Sequence, residues 1–170
     1  MPKTILFYRP QDPHGHFSNF SRHSIIIDDV TWPTTEHFFQ AQKSLDPEIQ
    51  EHIRKLDSPG KAKNFAHTIQ LRLDWEEIPE GTTPAFHELF RDEWGIAVER
   101  VKDHFMFSAL IVKFNQHEDL KKALIETGDA LLIEDTFSDP YWGNGPSKNG
   151  LNKLGRQLML VRKRLLTEGS

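Results

Sequence analysis

The sequence contains no cysteine among its 170 residues. This absence excludes disulfide bonds, a thiolate nucleophile and cysteine-ligated zinc, and it fits a reducing compartment. No apolar run approaches the ~20 residues that a transmembrane helix needs. The segment Met1–Tyr8 is too short and too polar for a secretory signal. We therefore expect a cytoplasmic protein without a membrane partner, and the sequence leaves its oligomeric state open.

Several standard catalytic motifs are also absent. The segment 143–148 reads Gly-Asn-Gly-Pro-Ser-Lys and lacks the order of a phosphate-binding loop. The chain has no G-x-G-x-x-G after a strand, no H-E-x-x-H pair and no nucleophile-elbow serine. Hydrolysis by carboxylic acids, or by an amine, is the chemistry that remains.

The composition is that of an ordinary folded domain, with 37% apolar and 27% charged residues. The net charge of −4 argues against attraction of the whole protein to nucleic acid. However, no acidic residue lies between Asp139 and Glu168. This stretch is either a solvated helix face or a phosphate-binding edge. Its basic residues are Lys148, Lys153, Arg156, Arg162, Lys163 and Arg164.

Hydrophobic periodicity and turn residues predict a mainly helical α+β domain with a few short strands. Asp28-Asp29 is predicted to form the turn of a hairpin, and Thr34 to cap the helix that follows Pro33. Strands are predicted at Thr4–Tyr8, Ser24–Ile27, Val30–Trp32 and Ala130–Ile133. Further helices are predicted at Pro47–Leu56, Lys61–Ala66, Val98–Phe114, Leu120–Glu126 and Leu151–Leu165.

The helix after Pro33 carries the first candidate site. Glu36, Gln40 and Lys43 follow at i, i+4 and i+7 and would share one helix face. Phe38, Ala41 and Leu45 would form the opposite, core-facing side. A carboxylate at a helix start also complements the helix dipole, so the spacing alone favours a structural role.

Two loops carry weaker signals. In the polar, glycine-rich loop 135–150, Asp139 stands beside Trp142. The loop is either a functional one with an aromatic that stacks on a base, or a capped turn with a tryptophan in the core. Near the N-terminus, Phe17 and Phe20 bracket Ser18-Asn19, a pair that offers hydrogen-bond donors and acceptors.

Six ordered blocks, taken together, resemble the NADAR (YbiA-like) family from about Phe7 to Leu165, which is nearly the whole chain. The blocks are Gly15-x-Phe17-Ser18-Asn19-Phe20, Trp32-Pro33-Thr34-x-Glu36-His37-x-Phe39-Gln40-Ala41-Gln42-Lys43, Leu71-Arg72-x-Asp74-Trp75, Met106-x-x-Ala109-Leu110-x-x-Lys113-Phe114, Asp139-x-x-Trp142-Gly143-x-Gly145 and Asn152-x-Leu154-Gly155-x-x-Leu158-Met159-x-x-Arg162. The resemblance implies a single domain over residues 1–170 and N-glycosidase activity without a metal or cofactor.

The resemblance also implies site residues. It assigns Glu36 and Asp139 to catalysis and gives Lys43 a proposed reaction with the sugar. It places Trp75 at the site, although residues 76–97 intervene before the Met106 helix as an insertion. This departure makes Trp94 a second candidate for that tryptophan. The other expected substrate-binding residues are Phe17, Ser18, Asn19, Phe20, Gln40, Trp142, Gly143 and Asn152.

Two substrate classes follow from the resemblance. One is guanine carrying ADP-ribose, in a nucleotide or a nucleic acid, and the other is a phosphorylated ribosylaminopyrimidine of riboflavin synthesis. The insertion and the basic C-terminal edge favour the larger, doubly phosphorylated guanine adduct. A non-catalytic module that binds ADP-ribose is the remaining alternative.

Overall fold

Helices dominate the fold, and the α+β class predicted from the sequence is confirmed. We describe a computed structural model for residues 1–169. Within this range the helices are α1 Thr35–Ala41, α2 Pro47–Lys55, α3 Pro59–Ala66, α4 Pro84–Glu88, α5 Val101–Gln116, α6 Glu118–Glu126 and α7 Lys153–Glu168, and a 3₁₀ turn covers Gly15–Phe17. The strands are β1 Thr4–Phe7, β2 Ile25–Ile27, β3 Val30–Trp32, β4 Arg91–Asp92, β5 Gly95–Ile96 and β6 Leu131–Glu134. None of the helices in residues 1–169 has the length and apolar character needed to cross a membrane.

The strands form three two-stranded sheets within residues 1–169. β1 and β6 are parallel, from Thr4 opposite Leu131 to Phe7 opposite Glu134. β2 and β3 form the predicted hairpin, and Asp28 and Asp29 turn the chain with φ values of 51° and 62°. Asp tolerates this left-handed region better than most residues, which explains the turn at this pair.

The core lies between β6 and the two long helices, α5 and α7. Leu110 and Phe114 of α5 meet Leu154 and Leu158 of α7, and all four side chains are at most 1% exposed. Gly155 lets α7 approach β6, because a Cβ there would lie 2.1 Å from the Leu132 carbonyl oxygen. This close packing fixes the end of β6 relative to α7.

Helix α1 begins as the sequence predicts, because the Thr34 hydroxyl accepts a hydrogen bond from the His37 N–H. Its predicted polar face lines one cavity, and Phe38 and Ala41 of the opposite face lie in the core. All seven residues of the helix are buried, in contact with α2, α3 and α5. The helix ends at Ala41, so Leu45 lies beyond it and is 70% exposed instead of in the core.

The segment 76–97 forms α4 and the short β4–β5 hairpin. It is anchored by the buried Phe90 and Ala97 and by an ion pair between Asp92 and Arg156 of α7 (Nε–Oδ2 2.7 Å). Trp94, at the hairpin turn, is 50% exposed.

Candidate active site

One cavity of about 330 Å³ opens between α1, the 3₁₀ turn, the end of β6 and the loop that precedes α7. A volume of this size lies at the lower end of the range for small-molecule sites. Its polar and charged lining residues are Tyr8, Arg9, Ser18, Asn19, Glu36, Gln40, Lys43, Lys63, His67, Glu134, Thr136, Ser138 and Asp139. Its apolar lining residues are Pro10, Phe20, Phe39, Met106, Trp142 and Leu154.

Glu36 stands in the first turn of α1 and is buried at the cavity wall. The Gln40 amide one turn later donates to Glu36 Oε1 at 2.6 Å and fixes the carboxyl group. Burial raises the pKa of Glu36, while the Gln40 bond, Lys63 and Lys43 act in the opposite direction. The charge on the carboxylate is therefore poorly solvated when no substrate is bound, a setting that suits stabilisation of a developing cation.

Lys43 lies two residues past the end of α1 yet lines the same cavity as Glu36. Its carbonyl accepts a hydrogen bond from the Arg72 N–H at 2.8 Å, which holds this segment in place. Burial lowers the pKa of the Lys43 amine; Lys63 contributes in the same direction, and Glu36 opposes it. A lowered pKa increases the fraction of neutral, nucleophilic amine.

Asp139 reaches the cavity from the loop before α7, where its Oδ1 accepts the N–H groups of Tyr141 and Trp142, both at 2.9 Å. Trp142 lines the cavity beside Asp139 and packs edge-on against Phe39, with ring centroids 5.3 Å apart. Asp139 therefore caps a turn, as one interpretation of this loop predicts, and it also lines the cavity.

The 3₁₀ turn brings Ser18, Asn19 and Phe20 to the cavity, while Phe17 is wholly buried behind them. The Thr35 hydroxyl donates to Asn19 Oδ1 at 2.9 Å, so this loop is attached to α1. Together with Gln40 and Trp142, these three are the expected substrate-binding residues that line the cavity.

The other expected binding residues lie outside the cavity lining. Trp75 is buried one layer behind it, where it contacts the cavity residue Phe39 at 5.2 Å between ring centroids. Trp94 is on the surface hairpin and has no place in the lining. Gly143 and Asn152 support the backbone around β6: a Cβ at Gly143 would lie 2.6 Å from the Glu134 carbonyl oxygen, and Asn152 bonds Leu132 and Glu134.

The basic C-terminal edge does not form a phosphate site in this structure. Lys153 is buried and donates to the Ile96 carbonyl, and Arg156 makes a two-pronged bond to Asp92. Lys148 pairs with Asp135 at 2.8 Å. The expectation of a phosphate-binding edge at these three residues is wrong, because a carbonyl and two carboxylates of the protein already bind them.

The structure adds lining residues that the sequence did not single out. Glu134 ends β6, and Lys63 and His67 belong to α3 and its C-terminal cap. All three residues are far from Glu36 in the sequence, and separate secondary-structure elements bring them to the same cavity. For Glu134 a signal was available: a carboxyl residue directly after the predicted strand Ala130–Ile133 and before a functional loop.

Fold and cavity together define a small α+β domain with carboxyl groups and a lysine gathered around one open site. The NADAR domain model matches residues 6–166, and the chain belongs to this family. The resemblance stated from the six blocks is thereby confirmed. The N-glycosidase YbiA of Escherichia coli (strain K12) is 39% identical over 171 residues, which cover 99% of this chain and 92% of that protein.

A second relative and a solved structure extend the comparison. The riboflavin biosynthesis protein PYRR, chloroplastic, of Zea mays is 36% identical over 170 residues, which cover 95% of this chain and 25% of the maize protein. The NMR structure of E. coli YbiA matches with a TM-score of 0.79 and 38% identity over 99% of this chain and 89% of that one.

Proposed function

We propose that this chain is an N-glycosidase that hydrolyses the bond between a ribose and a base. The observation that carries this proposal is the convergence of Glu36, Lys43 and Asp139, from two distant segments of the sequence, on one cavity. Cleavage of a ribose–base bond builds positive charge at the anomeric carbon and negative charge on the base. A carboxylate beside the sugar and a proton donor beside the base meet these two demands.

We assign the roles from the surroundings of each group. Glu36 supports the sugar cation and its attacking nucleophile, because Gln40 holds its carboxylate in place. Asp139 orients the substrate or transfers a proton. Trp142 offers an aromatic surface to the base, and Ser18 and Asn19 offer polar groups to the ribose.

The favoured substrate class is a phosphorylated ribosylaminopyrimidine. A cavity of about 330 Å³ suits a single base–ribose–phosphate unit better than a guanine that carries a complete ADP-ribose. The two features that favoured the larger adduct, the basic edge and the insertion 76–97, lie outside the cavity lining. The riboflavin name of the maize relative supports the smaller substrate.

Guanine ADP-ribosylation is the second candidate. The observation in its favour is the rim, where the exposed residues Arg9, Lys63 and His67 would hold a further phosphate outside the cavity. Parallel assays with ribosylaminopyrimidine 5′-phosphate and with ADP-ribosylguanosine, followed by chromatography of the released base, compare the two. Tight binding of ADP-ribose without turnover in either assay would contradict the enzymatic proposal.

Lys43 provides the first specific prediction. If its amine attacks the anomeric carbon, a Schiff base with the opened sugar forms, and borohydride reduces it to a stable adduct. We expect mass spectrometry to find a substrate-dependent adduct on Lys43, absent from Lys43→Ala. Lys61→Ala, which removes an exposed lysine of α3 paired with Asp57, is the control and should keep the adduct. Full turnover by Lys43→Ala would exclude the amine from the chemistry.

Lys63 provides the second specific prediction. It stands on the cavity rim and acts electrostatically on Glu36, Lys43 and Glu134. If it holds the substrate phosphate, Lys63→Ala should raise KM about fivefold and leave kcat within about twofold, the scale of one solvated ion pair. The KM effect should shrink at high salt. Lys61→Ala again serves as the control, and equal KM values for both variants would remove the phosphate contact from Lys63.

A further inference from the structure

Glu134 is a third carboxyl group in the cavity, and neither the sequence blocks nor the roles given above assign it a function. It is the last residue of β6 and lines the cavity together with Glu36 and Asp139. Its side chain is partly buried, and within residues 1–169 its carboxyl group has no hydrogen-bond partner. Because this carboxyl group lines the cavity and is not engaged by the described residues, it is available to a ligand bound there.

The backbone of Glu134 is fixed on every side. Its N–H donates to Asn152 Oδ1 at 3.0 Å, and its carbonyl accepts the N–H groups of Thr136 and Asn144, both at 3.0 Å. Gly143 packs directly on that carbonyl, since a Cβ there would lie 2.6 Å from the oxygen. The fold therefore sets the direction in which the Glu134 side chain leaves the backbone.

The surroundings of Glu134 favour its protonated form at neutral pH. Burial, together with the nearby carboxyl groups of Asp139 and Glu36, raises the pKa of Glu134 to about 8, and Lys63 opposes the shift. Carboxyl groups that share one site cannot all ionise without mutual repulsion. The other titratable residues in the lining are Tyr8, Arg9, Lys43 and His67.

Asp139 is less suited to proton donation. Its Oδ1 already accepts two backbone N–H groups, from Tyr141 and Trp142, and these bonds fix its orientation. The two roles that the sequence leaves with Asp139, orientation and proton transfer, can therefore be divided between two residues. Asp139 keeps orientation, and the unpartnered carboxyl of Glu134 is free for the proton.

We propose that Glu134 is the catalytic acid of this site and donates its proton to the departing base. The inference rests on the proposed N-glycosidase function. As the C1′–N bond breaks, its electron pair goes to the base nitrogen, and the proton of Glu134 goes to the base. The oxygen of the incoming nucleophile, in the direct route a water molecule, bonds to C1′. The water gives up one proton to the Glu36 carboxylate, and that proton leaves to solvent while Glu134 takes up a new one.

The test compares two leaving groups in Glu134→Gln, which keeps the size of the side chain and removes its acidic proton. With ribosylaminopyrimidine 5′-phosphate, we expect kcat to fall by about 10²–10⁴-fold, the usual contribution of a general acid. With 4-nitrophenyl β-ribofuranoside 5-phosphate, whose nitrophenolate leaves without protonation, the loss should stay below about tenfold. Equal losses on both substrates, or no loss on either, would overturn the assignment.

A second measurement does not depend on turnover. Carbon-13 NMR of side-chain carboxyl groups in the free protein should find one that titrates at about pH 8 and is missing from Glu134→Gln. In Asp139→Asn its titration should move to lower pH, because a repelling neighbour has been removed. If this titration is seen but the wild type cleaves neither substrate, the proposed function fails and the proton-holding group stands. If no such titration exists, the acid assignment fails whatever the activity.

Discussion

Glu36→Gln should lower kcat for the ribosylaminopyrimidine substrate by at least about 10²–10⁴-fold. The amide fills the same space but has no charge to stabilise the sugar cation and cannot accept a proton from water. Gln40 can still donate to the new side chain, so the wall of the cavity stays in place. Steady-state kinetics at several pH values measure the effect.

A thermal melt separates lost chemistry from lost folding. Because burial raises the pKa of Glu36, the folded state holds the proton to a higher pH than the unfolded chain does. Its contribution to stability therefore falls as the pH rises above the ordinary value of 4.5. Glu36→Gln should thus melt at the wild-type temperature or higher. The control, Glu126→Gln, changes an exposed acid of α6 and should alter neither property. Wild-type kcat in Glu36→Gln would remove Glu36 from the chemistry.

The pH profile connects Glu36 with Glu134. A carboxylate that must be ionised gives the acid limb, and an acid that must be protonated gives the basic limb. We expect kcat to decline above about pH 8, where Glu134 loses its proton. Glu134→Gln should remove that decline and leave the acid limb from Glu36. Two carboxyl groups with different surroundings would then act as base and acid in one cavity.

Much of the fold was predictable because its signals are local. The Thr34 cap and the Asp28-Asp29 turn each depend on a few neighbouring residues. The apolar stripe of α7 depends only on helical spacing. By contrast, the position of Leu45 was predicted wrongly because α1 ends at Ala41, so the helical spacing does not extend to Leu45.

The site was predictable only where its residues belong to recognisable blocks. Glu36, Lys43 and Asp139 come from two of the six blocks, and their convergence on one cavity is a property of the fold. Lys63 was not predicted because no local pattern marks a residue that reaches the site through distant neighbours, and the one local signal for Glu134 is its position directly after a predicted strand. The prediction of a phosphate site at the basic edge was wrong for a similar reason. Asp92, which pairs with Arg156, is 64 residues away in the sequence.

Lys113→Met should destabilise the protein by roughly 3–5 kcal/mol at pH 8, because it leaves buried oxygen atoms without a donor. The Lys113 side chain is fully buried in α5, where its amine donates to the carbonyls of His16 (2.7 Å) and Ser18 (3.0 Å) and to the Ser21 hydroxyl (2.7 Å). Methionine replaces the methylene chain but none of these bonds. The melting temperature should fall by about 6–20 °C.

The same amine secures the loop that supplies Ser18 and Asn19 to the cavity. A loosened loop should raise KM in Lys113→Met at temperatures where the variant is still folded, and kcat should change less. Lys122→Met is the matched control, since Lys122 on α6 is 74% exposed, and its stability should stay within about 0.5 kcal/mol of the wild type. Equal melting temperatures for the two variants would contradict an anchoring role for Lys113.

The difference in stability between the wild type and Lys113→Met should depend on pH. Burial lowers the pKa of Lys113 from 10.5 to about 7. Between these values the unfolded chain binds more protons than the folded one, so this group makes the wild type more stable as the pH rises. Lys113→Met has no amine at this position, so its stability lacks this increase with pH. The stability gap between wild type and variant, measured by urea unfolding, should therefore widen from pH 6 towards pH 9, by about 1.4 kcal/mol for each pH unit above 7. A gap that is constant over this range would mean that the amine keeps the same charge in the folded and the unfolded chain.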